Sequence, residues 1–244
     1  MTPAESASRV LTDALAEFGR SLSLLTSFQR EGVVILDLLT RMNVRLPVIT
    51  IDTGRLPTAT LDMIASVEDR YGINVERLKP EESEVDAMVS TYGRDLFRDN
   101  VPQRMLCCNI RKVRPLALRM RGVPAYLTGI RREQSPERAD TEVFDRSVSP
   151  VRISPLVDWT AADVLEYTER NSLPVHALYA AGYRSIGCDP CTRAVFDGEH
   201  ERAGRWWWED DVAKECGIHI SPEGRAERTV DVLLRELLER RVPA

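Results

Sequence analysis

Cysteines are the residues with the clearest chemical potential in this sequence of 244 residues. Cys188 and Cys191 form a C-x-x-C pair within GYRSIGCDPCT, Cys107 and Cys108 are adjacent, and Cys216 stands alone in KECGIH. A C-x-x-C pair by itself suits a metal ion, a redox disulfide or a zinc ribbon. The two pairs together could ligate one metal centre, which leaves one cysteine over for other chemistry.

The spacing of the pairs bears on which metal they would hold. A single zinc ion needs four sulfurs that converge at about 2.3 Å, yet the side chains of adjacent residues diverge. A [4Fe-4S] cluster relaxes this demand, because each thiolate binds a different iron. Both centres stay open on spacing alone, as does the alternative that Cys107 and Cys108 are small buried apolar residues.

Composition predicts a soluble globular protein, with 43% hydrophobic and 29% charged residues. The first thirty residues hold no signal-peptide pattern and no apolar run long enough for a membrane, so we expect a cytoplasmic protein without membrane association. The net charge of −5 argues against nucleic-acid binding. Nine Lys and Arg against two acids between Arg104 and Arg138 nevertheless indicate a local anion site.

Short apolar runs alternate with longer amphipathic stretches, which predicts strands alternating with helices. The predicted strands are 21–27, 46–52, 73–78, 125–130 and 151–156. The predicted helices are 60–71, 82–92, 108–120 and 161–170, with one more beginning near residue 31. Pro115 should kink the helix 108–120 or mark its start, and its arginines, Arg111 among them, are expected on a solvated face.

This alternation predicts an α/β fold with a mostly parallel sheet flanked by helices, Rossmann-like, with ligands at the carboxyl ends of the strands. The loops at those ends are 26–31, 52–58 and 129–138. The pattern stops near residue 197, so we predict one α/β domain over 1–196 and a mobile or docking tail over 197–244.

Two apolar groups stand out in the predicted tail. The three tryptophans at 206–208 favour packing at the root of the tail over stacking on a base. An apolar helical stripe near the end predicts an amphipathic helix that docks on this chain or on another copy, so a homo-oligomer is one expectation. Its members are Val230, Leu233, Leu234, Leu237 and Leu238.

Several motifs, taken in their order along the chain, resemble the assimilatory sulfonucleotide reductases, and specifically the iron-sulfur adenylyl-sulfate (APS) reductases. They are SFQRE at 27–31, DTGR at 52–55, CCNIRKV at 107–113, TGIRR at 128–132, SIGCDPCT at 185–192, RAGRW at 202–206 and KECGIH at 214–219. Each is weak alone, but the two cysteine pairs followed by ECGxH are specific.

The resemblance implies a fold like that of the ATP pyrophosphatases (adenine nucleotide alpha hydrolase-like) and a nucleotide- and cluster-binding domain. It implies a [4Fe-4S] cluster on Cys107, Cys108, Cys188 and Cys191, and thioredoxin as reductant. It further implies that Cys216 attacks the sulfur of APS, releases AMP and holds the sulfite as S-sulfocysteine until thioredoxin frees it, in assimilatory sulfate reduction.

The resemblance also points to a substrate site, to which the residues themselves add physical reasons. Lys112 and Arg132 carry charges that suit phosphate and sulfate oxygens. Ser27, Phe28 and Glu31 lie where a helix start can meet a phosphate. The full predicted set is Ser27, Phe28, Glu31, Asp52, Thr53, Gly54, Arg55, Lys112, Arg132, Arg202, Arg205 and His219.

The sequence departs from the family pattern at two places. Ala59 stands where many members carry an acid before Thr60, and the chain continues beyond His219, where many members end. Three alternatives remain: a PAPS reductase, a non-catalytic nucleotide sensor that carries a cluster, and a thiolation enzyme that adenylates RNA. The last is disfavoured because the SGGxDS loop of ATP pyrophosphatases is absent.

Overall fold

The computed structural model describes residues 2–209 together with Leu234 and Leu237. The helices are α1 (Pro3–Phe18), α2 (Arg30–Arg41), α3 (Thr58–Tyr71), α4 (Glu82–Tyr92), α5 (Val101–Cys108), α6 (Arg114–Arg119) and α7 (Ala161–Arg170). The strands are β1 (Leu22–Leu25), β2 (Val48–Ile51), β3 (Val75–Leu78), β4 (Ala125–Leu127), β5 (Phe144–Asp145) and β6 (Val151–Ile153). Cys216 and His219 lie outside the described residues.

Within the described part of the chain, the strands form one six-stranded sheet in the order β3-β2-β1-β4-β6-β5. β1 pairs in parallel with β2 and β4, β4 pairs in parallel with β6, and only the edge strand β5 is antiparallel to its neighbour. The mostly parallel α/β fold predicted from the sequence is confirmed. After β3 the chain crosses back over β1, and β4 joins the sheet on the other side of β1. In open α/β sheets, such a reversal in the direction of strand addition marks the ligand-binding edge.

The core lies between the sheet and helices α1, α2, α3 and α7. α2 is the most buried helix because apolar residues occupy almost every turn, with Val33, Val34, Ile35, Leu38 and Leu39 all at most 4% exposed. Burial of each such side chain contributes about 1.5–3 kcal/mol. α2 therefore holds the β1–α2 loop rigidly against the sheet.

Where one helix was predicted over 108–120, the structure has three consecutive helical segments that span 101–119. α5 ends at Cys108, a π-helical turn covers Asn109–Val113, and α6 carries Pro115 near its start. Pro115 has no N–H to give to the carbonyl four residues earlier, and its ring crowds that carbonyl. The wider turn accommodates this, and the Arg114 N–H bonds instead to the Asn109 carbonyl. π-helical turns recur at functional sites.

The chain divides into two compact units. The first comprises 1–50, 55–77 and 122–207, and the second comprises 51–54, 78–121 and 208–244. The division into 1–196 and 197–244 stays a prediction. Of the predicted terminal stripe, only Leu234 and Leu237 are described, and both are helical. No described helix combines the length and apolarity that crossing a membrane would require.

Candidate functional site

The loop between β1 and α2 is held in a strained conformation in the first unit. Phe28 has a φ of 57° although it is bulky, and it is only 1% exposed. Its N–H donates to the Thr26 hydroxyl oxygen over 2.9 Å, and a Cβ on Gly32 would lie 1.9 Å from that same oxygen. α2 thus presses directly on the end of β1. Backbone strain of this kind clusters at ligand sites.

Gln29 joins this loop to the segment before the C-x-x-C pair. Its Nε2 donates to the Ser27 hydroxyl over 2.9 Å, while its Oε1 accepts from the Ile186 N–H over 2.8 Å. The Arg30 guanidinium lies 3.7 Å from the centre of the Tyr179 ring. Two predicted groups, the loop at 26–31 and the segment leading into Cys188, are therefore neighbours.

A single 3-10 turn, Asp189–Cys191, has Cys188 immediately before it and Cys191 as its last residue. The Cys188 carbonyl accepts from the Cys191 N–H at 3.0 Å and from the Thr192 hydroxyl at 3.0 Å. The Asp189 N–H donates to the carbonyl of Arg55 over 2.8 Å. Both cysteines are buried, and the predicted substrate residue Arg55 contacts their turn through its backbone.

Arg205 lies over the same turn. A Cβ on Gly187 would come within 2.4 Å of the Arg205 Nη2 atom, so only glycine lets the guanidinium approach this backbone. Arg205 is 6% exposed and stacks on Trp206 at 4.6 Å, and the Trp206 N–H donates to the Cys191 carbonyl over 3.2 Å. A buried cation is thereby fixed beside the C-x-x-C turn.

Arg202 belongs to the same folded-back segment. It is 7% exposed, and its Nη1 donates to the Ser185 hydroxyl at 3.5 Å. The Arg205 N–H donates to the Arg202 carbonyl over 3.0 Å. The predicted arginines of the RAGRW motif are thus both held near the residues that precede Cys188.

The TGIRR motif contributes a buried ion cluster built on Arg131. Arg131 is 2% exposed and lies 2.9 Å from Glu31, 3.0 Å from Glu133 and 2.9 Å from Glu201. Burial lowers the pKa of Arg131, but Glu31 and Glu201 outweigh it, so the net pKa is raised. Burial raises the pKa of the Glu201 carboxyl against the pull of Arg131. Arg131 was not among the substrate residues predicted from the sequence, whereas its neighbour Arg132 was.

Arg132 and Glu31 have protein partners in the structure. Arg132 Nε donates to the Thr141 carbonyl over 2.9 Å, and its Nη1 pairs with Asp158 at the surface. Glu31 Oε1 accepts from Arg131 and, over 3.1 Å, from Gln134 Nε2. Substrate contact by Arg132 and Glu31 stays a prediction, and each of them would have to share or exchange these partners.

The second unit contains the D-T-G loop that follows β2. The Gly54 N–H donates to Asp52 Oδ1 over 3.0 Å, and Gly54 has a φ of 69°, which glycine adopts without cost. The Thr53 carbonyl accepts from Arg111 Nη1 over 2.8 Å. Arg111 is 8% exposed, so the expectation that it lies on a solvated helix face is wrong.

Cys107 and Cys108 end α5 in this second unit and are 7% and 5% exposed. The π-helical turn that follows carries both Arg111 and Lys112. The two cysteine pairs are thus buried, each in its own unit. Among residues 2–209, 234 and 237, no group of three or more His, Cys, Asp or Glu is arranged to hold a metal ion.

A buried histidine that the sequence did not single out braces α3 in the first unit. His176 is 1% exposed, its Nδ1 accepts from the Leu178 N–H, and its Nε2 lies 2.9 Å from the Thr60 hydroxyl. Because Nδ1 is an acceptor, the proton belongs on Nε2. Burial lowers the pKa of His176.

Known proteins resemble this chain over most of its length. The model of the phosphoadenosine phosphosulfate reductase domain matches residues 21–194. The adenosine 5'-phosphosulfate reductase of Allochromatium vinosum is 42% identical, covering 82% of this chain and 78% of the relative. The enzyme of the same name from Burkholderia cepacia is 41% identical over 91% of each chain.

A solved structure agrees with these similarities. The crystal structure of phosphoadenylyl-sulfate (PAPS) reductase from Candida auris, in a phosphate complex, superposes with a TM-score of 0.65 at 29% identity. It covers 78% of this chain and 90% of the Candida chain. The chain therefore belongs to the phosphoadenosine phosphosulfate reductase family. This membership supports an oxidoreductase that acts on sulfonucleotides.

Proposed function

We propose that the protein reduces adenylyl sulfate to sulfite and AMP, with thioredoxin as the electron donor, in assimilatory sulfate reduction. Two buried cysteine pairs carry this proposal, because they occur in a chain about 40% identical to proteins named adenosine 5'-phosphosulfate reductase. The cytoplasmic location and a homo-oligomeric state stay predictions.

Cys216 is the proposed nucleophile. Its thiolate attacks the sulfur of adenylyl sulfate: a sulfur–sulfur bond forms, the bond from sulfur to the bridging oxygen breaks, and AMP leaves with that oxygen and the electron pair. One thioredoxin thiolate then attacks the Cys216 sulfur and expels sulfite. The second thioredoxin thiol resolves the mixed disulfide, so the dithiol supplies two electrons and Cys216 returns to the thiol state.

The anionic substrate explains why the predicted site is rich in cations. Arg202 donates to Ser185 and Arg205 stacks on Trp206, and a guanidinium held in this way can bind phosphate or sulfate through two parallel hydrogen bonds. Lys112 and Arg132 add positive charge, and His219 completes the predicted set. Ser27 and Phe28 supply the strained loop at the start of α2, where backbone N–H groups suit a phosphate.

The four paired cysteines are the proposed ligands of a [4Fe-4S] cluster. Buried thiols are the ligand type that such a cluster takes, so the donor chemistry fits. When bound, the cluster supplies structural support and a fixed charge rather than electrons, since the thiol reaction is complete without them. Lys112, within the π-helical turn after Cys108, would balance that charge next to the substrate sulfate.

The cluster proposal has a direct test. Anaerobically purified protein should be brown, absorb near 400 nm and contain about four irons per chain. Cys188→Ser should lower the iron content sharply, whereas Cys216→Ser should leave it unchanged. Colourless wild-type protein with one zinc per chain would refute the cluster.

The substrate proposal is tested by comparing nucleotides. The similarity to a PAPS reductase from Candida auris makes PAPS the second candidate. We expect kcat/KM for adenylyl sulfate to exceed that for PAPS at least tenfold. Preference for PAPS would overturn this choice. A Cys216→Ser variant that still releases sulfite with thioredoxin would overturn the nucleophile. A wild-type protein that binds the nucleotide but releases no sulfite would favour a non-catalytic nucleotide sensor.

A further inference from the structure

Trp208 and Glu209, at the end of the continuous described range, are bound to the segment that leads into the cysteine pair of the second unit. The Trp208 ring packs on Phe97 with their centroids 5.8 Å apart, and the Arg98 guanidinium lies 5.5 Å from the Trp208 ring. Glu209 Oε1 accepts from Arg104 Nε over 2.7 Å. These contacts fix the chain just before the stretch that carries Cys216.

The Arg104–Glu209 ion pair is buried to an unusual degree. The side chains are 1% and 6% exposed. Removing two charges from water is costly, and an apolar pair of similar volume is often as stable. The hydrogen bond from Arg104 Nε to Glu209 Oε1 also fixes the position of Glu209 relative to α5. Stability alone does not explain its presence.

The position of Arg104 in α5 connects this pair to the cysteines. Arg104 precedes Cys107 by three residues and Cys108 by four, and residues with these spacings share a helix face. All three are buried. The chain is therefore fixed one helical turn from two of the proposed cluster ligands.

We propose that Arg104 and Glu209 are positioning residues that anchor the segment carrying Cys216 for its attack on the substrate. The inference rests on the proposed function. Cys216 follows Glu209 by seven residues, so its reach from the anchor is at most about 25 Å. Without this ion pair, the preceding described contact is that of Trp208 with Phe97, and one more residue adds about 3.5 Å of reach.

The measured quantity is the single-turnover rate at which Cys216 acquires sulfite from adenylyl sulfate before thioredoxin is added. We expect Arg104→Ala and Glu209→Ala each to lower this rate about tenfold or more, because small losses of alignment slow attack steeply. The dissociation constant for AMP should stay within about twofold. The double variant should be no slower than the slower single variant, since the two residues act as one unit.

Matched variants separate anchoring from loss of structure. Trp208→Ala removes the ring on Phe97 without leaving a charge buried, and it should also slow the transfer. It tests the inference even where the alanine variants at Arg104 and Glu209 fold poorly. Trp207→Ala changes an adjacent ring that is 36% exposed and should leave the rate unchanged. Iron content and thermal midpoint are measured for every variant.

Two results would overturn the inference. One is a wild-type transfer rate in Arg104→Ala, Glu209→Ala and Trp208→Ala. The other is a rate that falls only in proportion to iron content and AMP affinity, which would mean that the pair merely supports the fold. Failure of the proposed function is distinct, because the wild-type protein itself would then form no S-sulfocysteine.

Discussion

Arg111 Nη1 donates to the carbonyl oxygen of Thr53 over 2.8 Å. This hydrogen bond joins the π-helical turn after the cysteine pair to the D-T-G loop, within one compact unit. A Cβ on Gly54 would lie 3.6 Å from the same nitrogen, so the loop and the guanidinium are in ordinary contact. The segment that carries Lys112 and the loop that carries Asp52 are thereby held to one another.

Replacing Arg111 should therefore disturb nucleotide binding. A hydrogen bond from a charged donor contributes about 1.5–3 kcal/mol, so Arg111→Met should raise KM for adenylyl sulfate at least tenfold with a smaller change in kcat. Arg111→Lys should recover little, because an ammonium lacks the planar fork. Steady-state kinetics measure this. Arg121→Met, at an exposed position, is the control, and an unchanged KM in Arg111→Met would contradict the prediction.

Arg131 should matter far more for stability than Arg132. Arg131→Met leaves the carboxylates of Glu31, Glu133 and Glu201 around an uncharged side chain, and loss of one partner of a buried ion cluster costs about 3–5 kcal/mol. The Arg132 ion pair is exposed, so Arg132→Met should cost about 1 kcal/mol or less. Urea unfolding of both variants tests this, and equal losses would show that the buried cluster adds nothing.

His176 should make stability depend on pH. Burial lowers its pKa in the folded state below the ordinary value of 6.5, so the folded protein binds the proton less well than the unfolded chain. The contribution to stability is therefore fully present above about pH 6.5 and is lost as pH falls toward the lowered pKa. In His176→Gln the free energy of unfolding should fall less between pH 7.5 and pH 5 than in the wild type.

His176→Gln should flatten the dependence of the free energy of unfolding on pH. Identical slopes in the wild type and His176→Gln would mean that burial does not lower the pKa of His176.

The sheet and its helices could be predicted because hydrophobic periodicity is strong in this chain. α3, α4 and α7 begin and end within two residues of their predicted bounds. α1 was missed, since its buried stripe consists only of Ala7, Leu11 and Ala14. The edge strand β5 has two residues, which is too short to leave a pattern.

The site was harder to predict, because it depends on which member of a motif turns inward. Arg131 and Arg132 are adjacent and alike in sequence, and only the approach of α2 at Glu31 selects the first for burial. Arg111 was expected on a solvated face because that is the commoner fate of helical arginines, but its guanidinium is buried against the Thr53 carbonyl. No sequence motif pointed to His176, because its hydrogen-bond partner Thr60 is far away in sequence.

The central claim is that Cys216 carries the sulfite group, and one experiment tests it most directly. The protein is mixed with adenylyl sulfate containing radiolabelled sulfur, and the reaction is stopped before thioredoxin is added. We predict one label per chain on the peptide containing Cys216, with one AMP released, and loss of the label as sulfite once reduced thioredoxin is supplied. Label that never attaches to the protein while sulfite is still produced, or label that attaches equally well to Cys216→Ser, would contradict the account.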